Sequence, residues 1–403
     1  MGKLLRGWIA MLVLAVPSMV LADDTTPQVD DPLHDELKPQ GQAARGLYYS
    51  GMRVRYLGAE RMVRELERAK LNAAVIDLKD GEGQVTYDSA VEILAPQEKP
   101  YIEDPRALMQ ALREGGIYTI GRIVCFTDPS LPQRDTSRAV MDGRNGHEGE
   151  PWARWEGRNT WLDPFNGDNH DLIVALAKEA EAMGVDEIQL DYFRFPVDEA
   201  AEFAVFPADD GRPRHEVLAG LLERIDREVK IPIGVDVFGV TAFRFHKPKG
   251  LGQIVASWLP YVEVLSPMLY VNGMSAWMRG KERRAERLVR YGVNQLRERL
   301  GDGVVLRPFL QAFERGADSY SPDFIAEQVR GVILGGGDGY LFWHVNSDYD
   351  MVTRGMRGPV RRMLPLPIDR RRAAREAALA AEPTRAPEGR ERMASKSPES
   401  AAN

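Results

Sequence analysis

Acidic side chains close several short apolar runs of this sequence. Asp77, Asp191 and Asp236 each end a run rich in β-branched residues, and Glu314 follows another such run. A carboxylate embedded in an apolar strand is costly to bury without a partner, so its repetition at the ends of runs points to chemistry. Two carboxyl groups placed across a bond can act as a proton donor and a nucleophile, which is what cleavage of a glycosidic bond requires.

These runs belong to a pattern that spans most of the chain. Eight runs rich in β-branched and aromatic residues alternate with stretches whose apolar residues recur at helical spacing. The predicted strands are Arg45–Ser50, Asn72–Lys79, Tyr118–Thr127, Glu187–Phe195, Pro232–Val240, Glu263–Tyr270, Val305–Phe313 and Gly339–Val345. The predicted helices include Ala59–Lys70, Pro105–Glu114, Asp171–Met183, His215–Val229, Glu282–Leu300 and Pro322–Leu334, with N-caps at Asn169 and Ser321.

Alternating strands and helices imply parallel strands that are joined by right-handed crossovers. Eight such units match the count of a closed (β/α)8 TIM barrel, and an open doubly wound sheet is the alternative. A barrel places its active site at the C-terminal ends of its strands and in the loops that follow. The candidate substrate contacts at those positions are Tyr48, Asp77, Lys79, Arg122, Asp128, Trp161, Asp163, Tyr192, Arg194, Tyr270, Gln311, Trp343 and His344.

A long loop is predicted from Asp128 to Asp168, and it carries Trp152, Trp155 and Trp161. Tryptophans at the mouth of a barrel suit sugar rings, because their flat faces cover the C–H surface of a ring while carboxylates and guanidinium groups bind its hydroxyls. The alternative is that these tryptophans only fix the loop to the barrel. The sequence leaves both interpretations open.

The composition excludes several classes of protein. The 403 residues include 53 Lys and Arg against 60 Asp and Glu, and no long basic run lies in the predicted barrel, which argues against nucleic acid as the main partner. The single cysteine cannot form an internal disulfide or a cysteine-based zinc site. The six histidines are not spaced as HxH or HExxH, and no Walker or dinucleotide-binding motif is present. We therefore expect no metal and no cofactor.

Both ends of the sequence differ from the predicted barrel, which is assigned to residues 45–365. Residues 1–22 combine basic residues, a short apolar run and a small-residue cleavage site, which predicts a secretion signal that is removed. We expect a periplasmic or secreted protein with no membrane span after cleavage. Residues 23–44 are predicted to be a linker, and residues 366–403 a mobile tail rich in Ala, Arg, Glu and Pro. The oligomeric state stays open.

Four segments of the sequence resemble one family of proteins. They are Val75–Asp80, Trp161–Pro164, Asp186–Pro196 and Gln311–Phe313. These segments are similar to those of a glycoside-hydrolase-like family of bacterial barrel proteins, which is largely known as a domain of unknown function and is distantly related to the α-amylase superfamily. The resemblance covers about residues 45–365 and implies a (β/α)8 fold and a carbohydrate substrate.

The resemblance also implies roles for particular residues. In amylase-type barrels the nucleophile is an Asp that ends strand four, and Asp191 matches that place. The acid/base in those barrels is a Glu that ends strand five, where this chain has Asp236. The amylase pattern also has an Arg two residues before the nucleophile and a His-Asp pair at strand seven. This chain has Gln189 and Gln311 at those positions.

We therefore predict an exported glycoside hydrolase that uses two carboxylates. Asp191 is the predicted nucleophile, kept ionised by Arg122 or Arg194. Asp236 is the predicted acid/base, because Asp191 and apolar neighbours would raise its pKa, and Glu314 is the alternative acid. Neighbouring strands lie about 4.8 Å apart, which would allow the short carboxyl separation of a retaining enzyme.

Two other classes of function stay open. The barrel could bind an envelope polysaccharide without cleaving it, which needs the aromatic mouth but no acid/base pair. A metal-assisted hydrolase or deacetylase could use Asp77, Asp80 and Asp128, although the lack of paired histidines makes this the weakest alternative.

Overall fold

Nine parallel strand segments form the central sheet of the computed structural model, which describes residues 37–155, 158–197, 200–243, 250–274 and 282–363. The segments are β1 (Arg45–Tyr49), β2 (Ala73–Lys79), β3 (Tyr118–Val124), β4 (Glu187–Asp191), β5 (Ile233–Val237), β6 (Val264–Pro267), β7 (Val305–Leu306), β8 (Phe309–Gln311) and β9 (Tyr340–Trp343). Their order across the sheet is β7-β6-β5-β4-β3-β2-β1-β9-β8, and every neighbouring pair is parallel.

β7 and β8 are two halves of the predicted seventh strand, separated by Arg307 and Pro308. β7 pairs with β6 and β8 pairs with β9, and a parallel bridge joins Met268 after β6 to Phe309. Pro308 has no N–H to donate, but its carbonyl accepts the amide of Leu341 at 3.0 Å. The seventh strand therefore connects the sixth to the eighth. The fold is the predicted (β/α)8 TIM barrel, and the open sheet is excluded.

Helices follow the strands around the outside of the barrel. The longer helices are Gly51–Ala69, Pro105–Glu114, Gly167–Met183, Arg214–Glu228, Arg284–Leu300, Pro322–Gly335 and Asp350–Arg357, and the shorter ones are Pro39–Gln42, Leu131–Arg134 and Val271–Met274. Short 3-10 turns lie at Glu92–Gln97, Thr136–Arg138, Ala201–Phe203, Gly239–Ala242, Val255–Trp258 and Val360–Met363. Two small antiparallel pairs are Met141–Asp142 with Ala204–Val205 and Ala153–Trp155 with Arg158–Thr160. Among the described helices, none has the length and apolar character that crossing a membrane requires.

The predicted helices are present, and one of the two predicted N-caps is confirmed. Ser321 accepts the amide of Phe324 at 3.3 Å, as expected of an N-cap. The prediction of Asn169 as a cap is wrong, because the helix begins earlier. Asn166 is the cap and accepts the amide of Asp168 at 2.8 Å.

Side chains of the strands alternate between two cores. On β4, Ile188 and Leu190 pack outwards against the helices, whereas Gln189 points into the barrel and donates to Ser266 on β6. Glu187, also on β4, reaches across the barrel to pair with Arg307. This period of two places every second residue of a strand inside the barrel and brings Asp191 to the upper end of its interior.

The N-terminal end of the barrel is closed by residues 37–44. Leu37 packs in the inner core with Tyr118, and Arg307 donates to the carbonyl of Gly41 at 3.0 Å. A Cβ on Gly41 would lie only 2.6 Å from the Tyr118 hydroxyl. The linker prediction for 23–44 is therefore wrong over 37–44, because this stretch is packed and includes a short helix.

The terminal predictions fall largely outside the described residues. Contacts divide the chain into a first unit, Met1–Asp31, and a second unit, Pro32–Asn403, which contains all the described residues. The predicted secretion signal at 1–22 and the tail at 366–403 both lie outside the described part of the chain.

Candidate active site

A cavity of about 260 Å³ opens at the C-terminal ends of β4, β5 and β6. Its lining consists of Asp191, Tyr192 and Arg194 after β4, Asp236, Phe238, Gly239, Val240 and Gln253 after β5, and Met268, Tyr270 and Asn272 after β6. Its volume is near the lower end of the range of about 300–1,000 Å³ that is usual for small-molecule pockets. A (β/α)8 barrel places its active site at this end of the strands.

Asp191 is oriented by three hydrogen-bond donors. Arg122 on β3 donates from Nε at 3.0 Å and from Nη2 at 2.6 Å to Oδ2 of Asp191, and the amide of Tyr192 donates to Oδ1 at 2.6 Å. Of the two arginines predicted to hold Asp191, Arg122 therefore makes the contact that the structure shows. It supplies from β3 the guanidinium that the amylase pattern would place at Gln189, two residues before the nucleophile.

The residue after Asp191 has an uncommon backbone conformation. Tyr192 has a φ of 48°, in the left-handed region that residues other than glycine seldom adopt. This conformation accompanies the hydrogen bond from the Tyr192 amide to Asp191. Such conformations persist where the surrounding structure requires them, and they cluster at functional sites.

Asp236 lies beside Asp191 on the neighbouring strand. Leu190 and Val235 are in register, so the next residues along β4 and β5 are Asp191 and Asp236. Asp236 is only 1% exposed, and neither of its carboxyl oxygens has a hydrogen-bond partner among the described residues. Burial raises the pKa of Asp236 well above its usual range, and the nearby charge of Asp191 raises this pKa further. The two carboxyl groups therefore have opposite environments.

Asp77 and Tyr48 support this pair from below the cavity. Arg122 donates to Asp77 at 2.5 Å as well as to Asp191, and the Tyr48 hydroxyl donates to the other oxygen of Asp77. Burial raises the pKa of Asp77 to about 6, although Arg122 opposes that rise. Asp77 is buried and does not line the cavity, so its link to the site in this structure is its hydrogen bond with Arg122, and its contact with a substrate stays a prediction.

Aromatic rings continue the site towards β1, β8 and β9. Trp343 lies with its ring centroid 5.8 Å from Tyr270, 6.1 Å from Tyr48 and 5.7 Å from Phe313. Tyr270 also lines the cavity, and burial raises the pKa of its hydroxyl. The structure brings together three of the predicted aromatic contacts and adds Phe313, which follows β8 and was not predicted as a contact.

Arg194 forms one wall of the cavity and is held by aromatic rings. Its guanidinium carbon lies 4.8 Å from the ring centroid of Trp161 and 5.0 Å from that of Phe238. Trp161 is buried against Arg194 and is not part of the cavity lining, so its direct contact with a sugar stays a prediction. Trp152 is also buried and donates from its indole to the carbonyl of Ala200 at 3.0 Å, which fixes the loop. The side chain of Trp155 lies outside the described part of the structure.

Four other predicted contacts have structural partners. Lys79 lies with Nζ 3.1 Å from Asp128, which is fully buried and accepts the amides of Ser130 and Leu131. Asp163 accepts backbone amides at 2.9 and 3.0 Å. Gln311 accepts an amide after β6 at 2.9 Å and donates to two carbonyls at 2.8 and 2.9 Å. All four side chains are buried and lie outside the cavity lining, so the structure gives each a structural partner, and their direct contact with a substrate stays a prediction.

Two further predictions lie outside the cavity. Nδ1 of His344 accepts the amides of Asn346 and Asp348 at 3.1 and 3.2 Å, so it shapes the turn after β9. Glu314 is exposed on the loop after β8 and is not part of the cavity lining. Of the two predicted acids, Asp236 lines the cavity and Glu314 does not.

Gln253 is a lining residue that the sequence did not reveal. Its side-chain oxygen accepts the amide of Phe238 at 2.9 Å and the hydroxyl of Thr241 at 3.0 Å. Its amide donates to the carbonyl of Asp236 at 3.4 Å. Gln253 thus holds the backbone that carries Asp236. It comes from a segment without strand or helix pattern, whereas Phe238 and Met268 follow strands directly and could have been found by the rule that identified the others.

The closed parallel sheet and the cavity at the C-terminal ends of its strands define a protein of the (β/α)8-barrel class. The chain belongs to the family described as "Putative glycosyl hydrolase domain", whose model matches residues 46–349. No curated protein matches the sequence.

Two of the solved structures similar to this chain share its fold at low sequence identity. The glycoside hydrolase domain of PgaB (BpsB) from Bordetella bronchiseptica is 14% identical, with 78% of this chain and 98% of that chain covered and a TM-score of 0.53. An alpha-L-fucosidase isoenzyme 2 from Paenibacillus thiaminolyticus is 13% identical, with 83% and 50% covered and a TM-score of 0.52. A hypothetical protein from Ruminiclostridium thermocellum is 30% identical, with 48% and 97% covered and a TM-score of 0.41.

Proposed function

We propose that this protein is an exported glycoside hydrolase that cleaves an oligo- or polysaccharide, with Asp191 as nucleophile and Asp236 as acid/base. The observation that carries this proposal is the difference between two neighbouring carboxyl groups in one cavity. Asp191 is paired with a guanidinium, whereas Asp236 is buried without a hydrogen-bond partner among the described residues, and burial raises its pKa. Glycoside hydrolysis requires one ionised and one protonated carboxyl group across the scissile bond.

The first step of the proposed reaction breaks the glycosidic bond. Asp236 transfers its proton to the glycosidic oxygen as the bond to the anomeric carbon breaks, and Asp191 attacks that carbon. The products of this step are the free leaving sugar and a glycosyl ester on Asp191. In the second step Asp236, now a carboxylate, takes a proton from water. The water oxygen attacks the anomeric carbon and releases Asp191 as a carboxylate.

The electrostatics of the site support this exchange of roles. The charge of Asp191 contributes to the raised pKa of Asp236. Formation of the ester removes that charge, so the pKa of Asp236 falls when it must act as a base. The register of β4 and β5 also favours the retaining outcome, because neighbouring strands lie about 4.8 Å apart and retaining enzymes separate their carboxyl groups by about 5–5.5 Å.

The proposal also includes a class of substrate, a carbohydrate, and a cellular location. Tyr270 and Trp343 offer ring faces beside the cavity, and Arg194 offers a guanidinium wall. We propose a periplasmic or secreted location from the signal pattern of residues 1–22.

The metal-assisted alternative has little support in the described residues. Asp77 binds Arg122 and Tyr48, and Asp128 pairs with Lys79. No group of three or more His, Cys, Asp or Glu side chains in the described ranges is placed to hold a metal ion.

Hydrolysis of a panel of bacterial envelope and storage polysaccharides tests the proposal. We expect release of reducing sugar by the wild type, and loss of release to the detection limit in Asp191→Asn. Asp88→Asn removes an equal charge from an exposed side chain outside the cavity and should keep full activity. Binding of a polysaccharide by both the wild type and Asp191→Asn, with cleavage by neither, would replace this proposal by the non-catalytic binding barrel.

A further inference from the structure

A second cavity, of about 440 Å³, lies at the opposite end of the barrel from the carboxyl pair. Arg45 at the start of β1 and Tyr340 at the start of β9 form its inner side. Lys70, Arg357 and Arg361 complete a set of four basic side chains, and no acidic residue lines the cavity. We refer to it as the basic cavity. Its volume falls within the range of about 300–1,000 Å³ that is usual for small-molecule sites.

The charge of this cavity contrasts with that of the whole chain, whose net charge is -7. Lys70, Arg357 and Arg361 make no ion pair or hydrogen bond from their side chains with the described residues, and all three are exposed. A cation near the C-terminal end of a helix is favourable by itself, which accounts for Lys70 and Arg357 singly. It does not account for the convergence of four cations on one concave surface.

The backbone of Lys70 provides a second, independent observation. Lys70 follows the helix Gly51–Ala69 as its C-cap, with a φ of 58° and a ψ of 41°. Glycine usually occupies such left-handed positions after a helix, because a side chain there is strained. A lysine at this position keeps a cation at the basic cavity and accepts that strain.

Arg45 is fixed by its neighbours on the barrel. Its amide donates to the side chain of Asn72 at 2.8 Å, and its carbonyl accepts the amide of Asn72 at 2.9 Å. The inner cation of the cavity therefore extends from a rigid strand. Arginine side chains bind phosphate groups through two parallel hydrogen bonds, and lysine adds a point charge.

We propose that the basic cavity binds a ligand that carries phosphate groups. Lys70, Arg357 and Arg361, which have no carboxylate partner among the described residues, match a ligand with two or more negative charges. The shared chemistry is the phosphate group, and its source is either a soluble phosphorylated molecule or the headgroup of an anionic lipid. This site is independent of the glycosidase chemistry, because its residues lie at the other end of the strands.

Calorimetric titration of the full-length protein with inorganic pyrophosphate tests the proposal. We expect saturable binding at one site. Lys70→Gly should weaken the binding about tenfold, which corresponds to the loss of one charge-assisted hydrogen bond. The same substitution should preserve or raise Tm, because glycine relieves the strained backbone. Loss of binding together with a raised Tm cannot come from unfolding.

Control variants distinguish binding at the basic cavity from nonspecific attraction of an anion to any surface cation. Lys99→Gln removes an exposed cation elsewhere on the barrel and should leave the Kd unchanged. Asp191→Asn alters the other end of the barrel and should also leave the Kd unchanged. Equal weakening of pyrophosphate binding by Lys70→Gly and Lys99→Gln would overturn the proposal. It would also be overturned if the wild type bound neither pyrophosphate in the calorimeter nor anionic lipid vesicles.

Vesicles distinguish the two sources of phosphate. Flotation with vesicles of phosphatidylcholine alone is compared with flotation in which three tenths of the lipid is phosphatidylglycerol. Binding to the anionic vesicles that Lys70→Gly weakens assigns the cavity to a lipid headgroup. Binding of pyrophosphate without capture by vesicles assigns it to a soluble phosphorylated ligand.

Discussion

A buried carboxyl group without a hydrogen-bond partner is rare, because the charged form of such a group is costly to desolvate. Within the part of the chain that the structure describes, Asp236 is in this position, while Asp191 on the neighbouring strand has three donors. The desolvation cost applies to the ionised form of Asp236, so the environment favours its protonated form. That arrangement is unfavourable for folding and useful for general acid catalysis.

Asp236→Asn should separate proton donation from the rest of the reaction. On natural linkages kcat/KM should fall roughly 10²–10⁴-fold, because the leaving oxygen then departs without a proton. On a dinitrophenyl glycoside of the same sugar, whose leaving group needs no proton, kcat/KM should change little. Steady-state kinetics on both substrates measure this difference. Equal losses on both substrates would mean that Asp236 has a structural role.

The candidate site was predictable where a residue follows a strand and faces the cavity. Asp191, Asp236, Arg194 and Tyr270 all meet this condition. The same rule also selected Asp128, which does not line the cavity, because sequence does not show whether a side chain at a strand end faces the cavity or lies buried beneath a loop.

Glu263, which directly precedes β6, links the N-terminal ends of β5 and β6. Its carboxylate accepts the amide of Ile233 at the start of β5 at 2.7 Å. Burial raises the pKa of Glu263 from 4.5 to about 8. Between those two pH values the folded state holds a proton that the unfolded state has released, so the free energy of unfolding falls as the pH rises.

Glu263→Gln should remove this dependence on pH. Its amide oxygen can still accept the Ile233 amide, and it has no charge to desolvate. Urea denaturation at pH 5 and pH 8 should show a larger loss of stability in the wild type than in the variant, with about 4 kcal/mol as the upper limit of the difference over these three pH units. Glu103→Gln, at an exposed position, is the control and should behave as the wild type. Parallel curves for all three proteins would contradict the prediction.

The strands were predictable because β-branched and aromatic runs bounded by turn residues are a local signal. All eight predicted runs contain a strand of the barrel. The break between Leu306 and Phe309 was not predicted, although Pro308 is visible in the sequence. The effect of Pro308 depends on which neighbouring strands pair with the seventh strand, and the closure of the barrel determines that pairing. Asn166 was missed as a cap for a similar reason, since nearby asparagines offer the same chemistry.

The whole molecule closes at one end through residues 37–44 and opens at the other at the carboxyl pair. The composition of this N-terminal stretch is polar enough to predict a linker. Its burial depends on Leu37 and on the absence of a side chain at Gly41, which lets the backbone approach Tyr118 and Arg307. Such long-range contacts leave no periodic signal in the sequence.

Gly41→Ala should lower the free energy of unfolding by about 1–3 kcal/mol, because the new methyl group overlaps the ring of Tyr118 and the side chain of Leu37. Gly81→Ala is the matched control, since a Cβ there meets no atom within 4 Å. Urea denaturation of both variants measures the difference. Equal stability of the two variants would show that residues 37–44 are loosely held.

The closed end also decides how this protein can be attached to a surface. The chain enters the barrel at Leu37, on the side away from Asp191 and Asp236. A surface that contacts residues 37–44 would therefore face the end of the barrel opposite the carboxyl pair. A protein immobilised through residues 37–44 would leave the cavity at the other end open to solvent, which is the orientation that a bulky polymer needs in order to reach it.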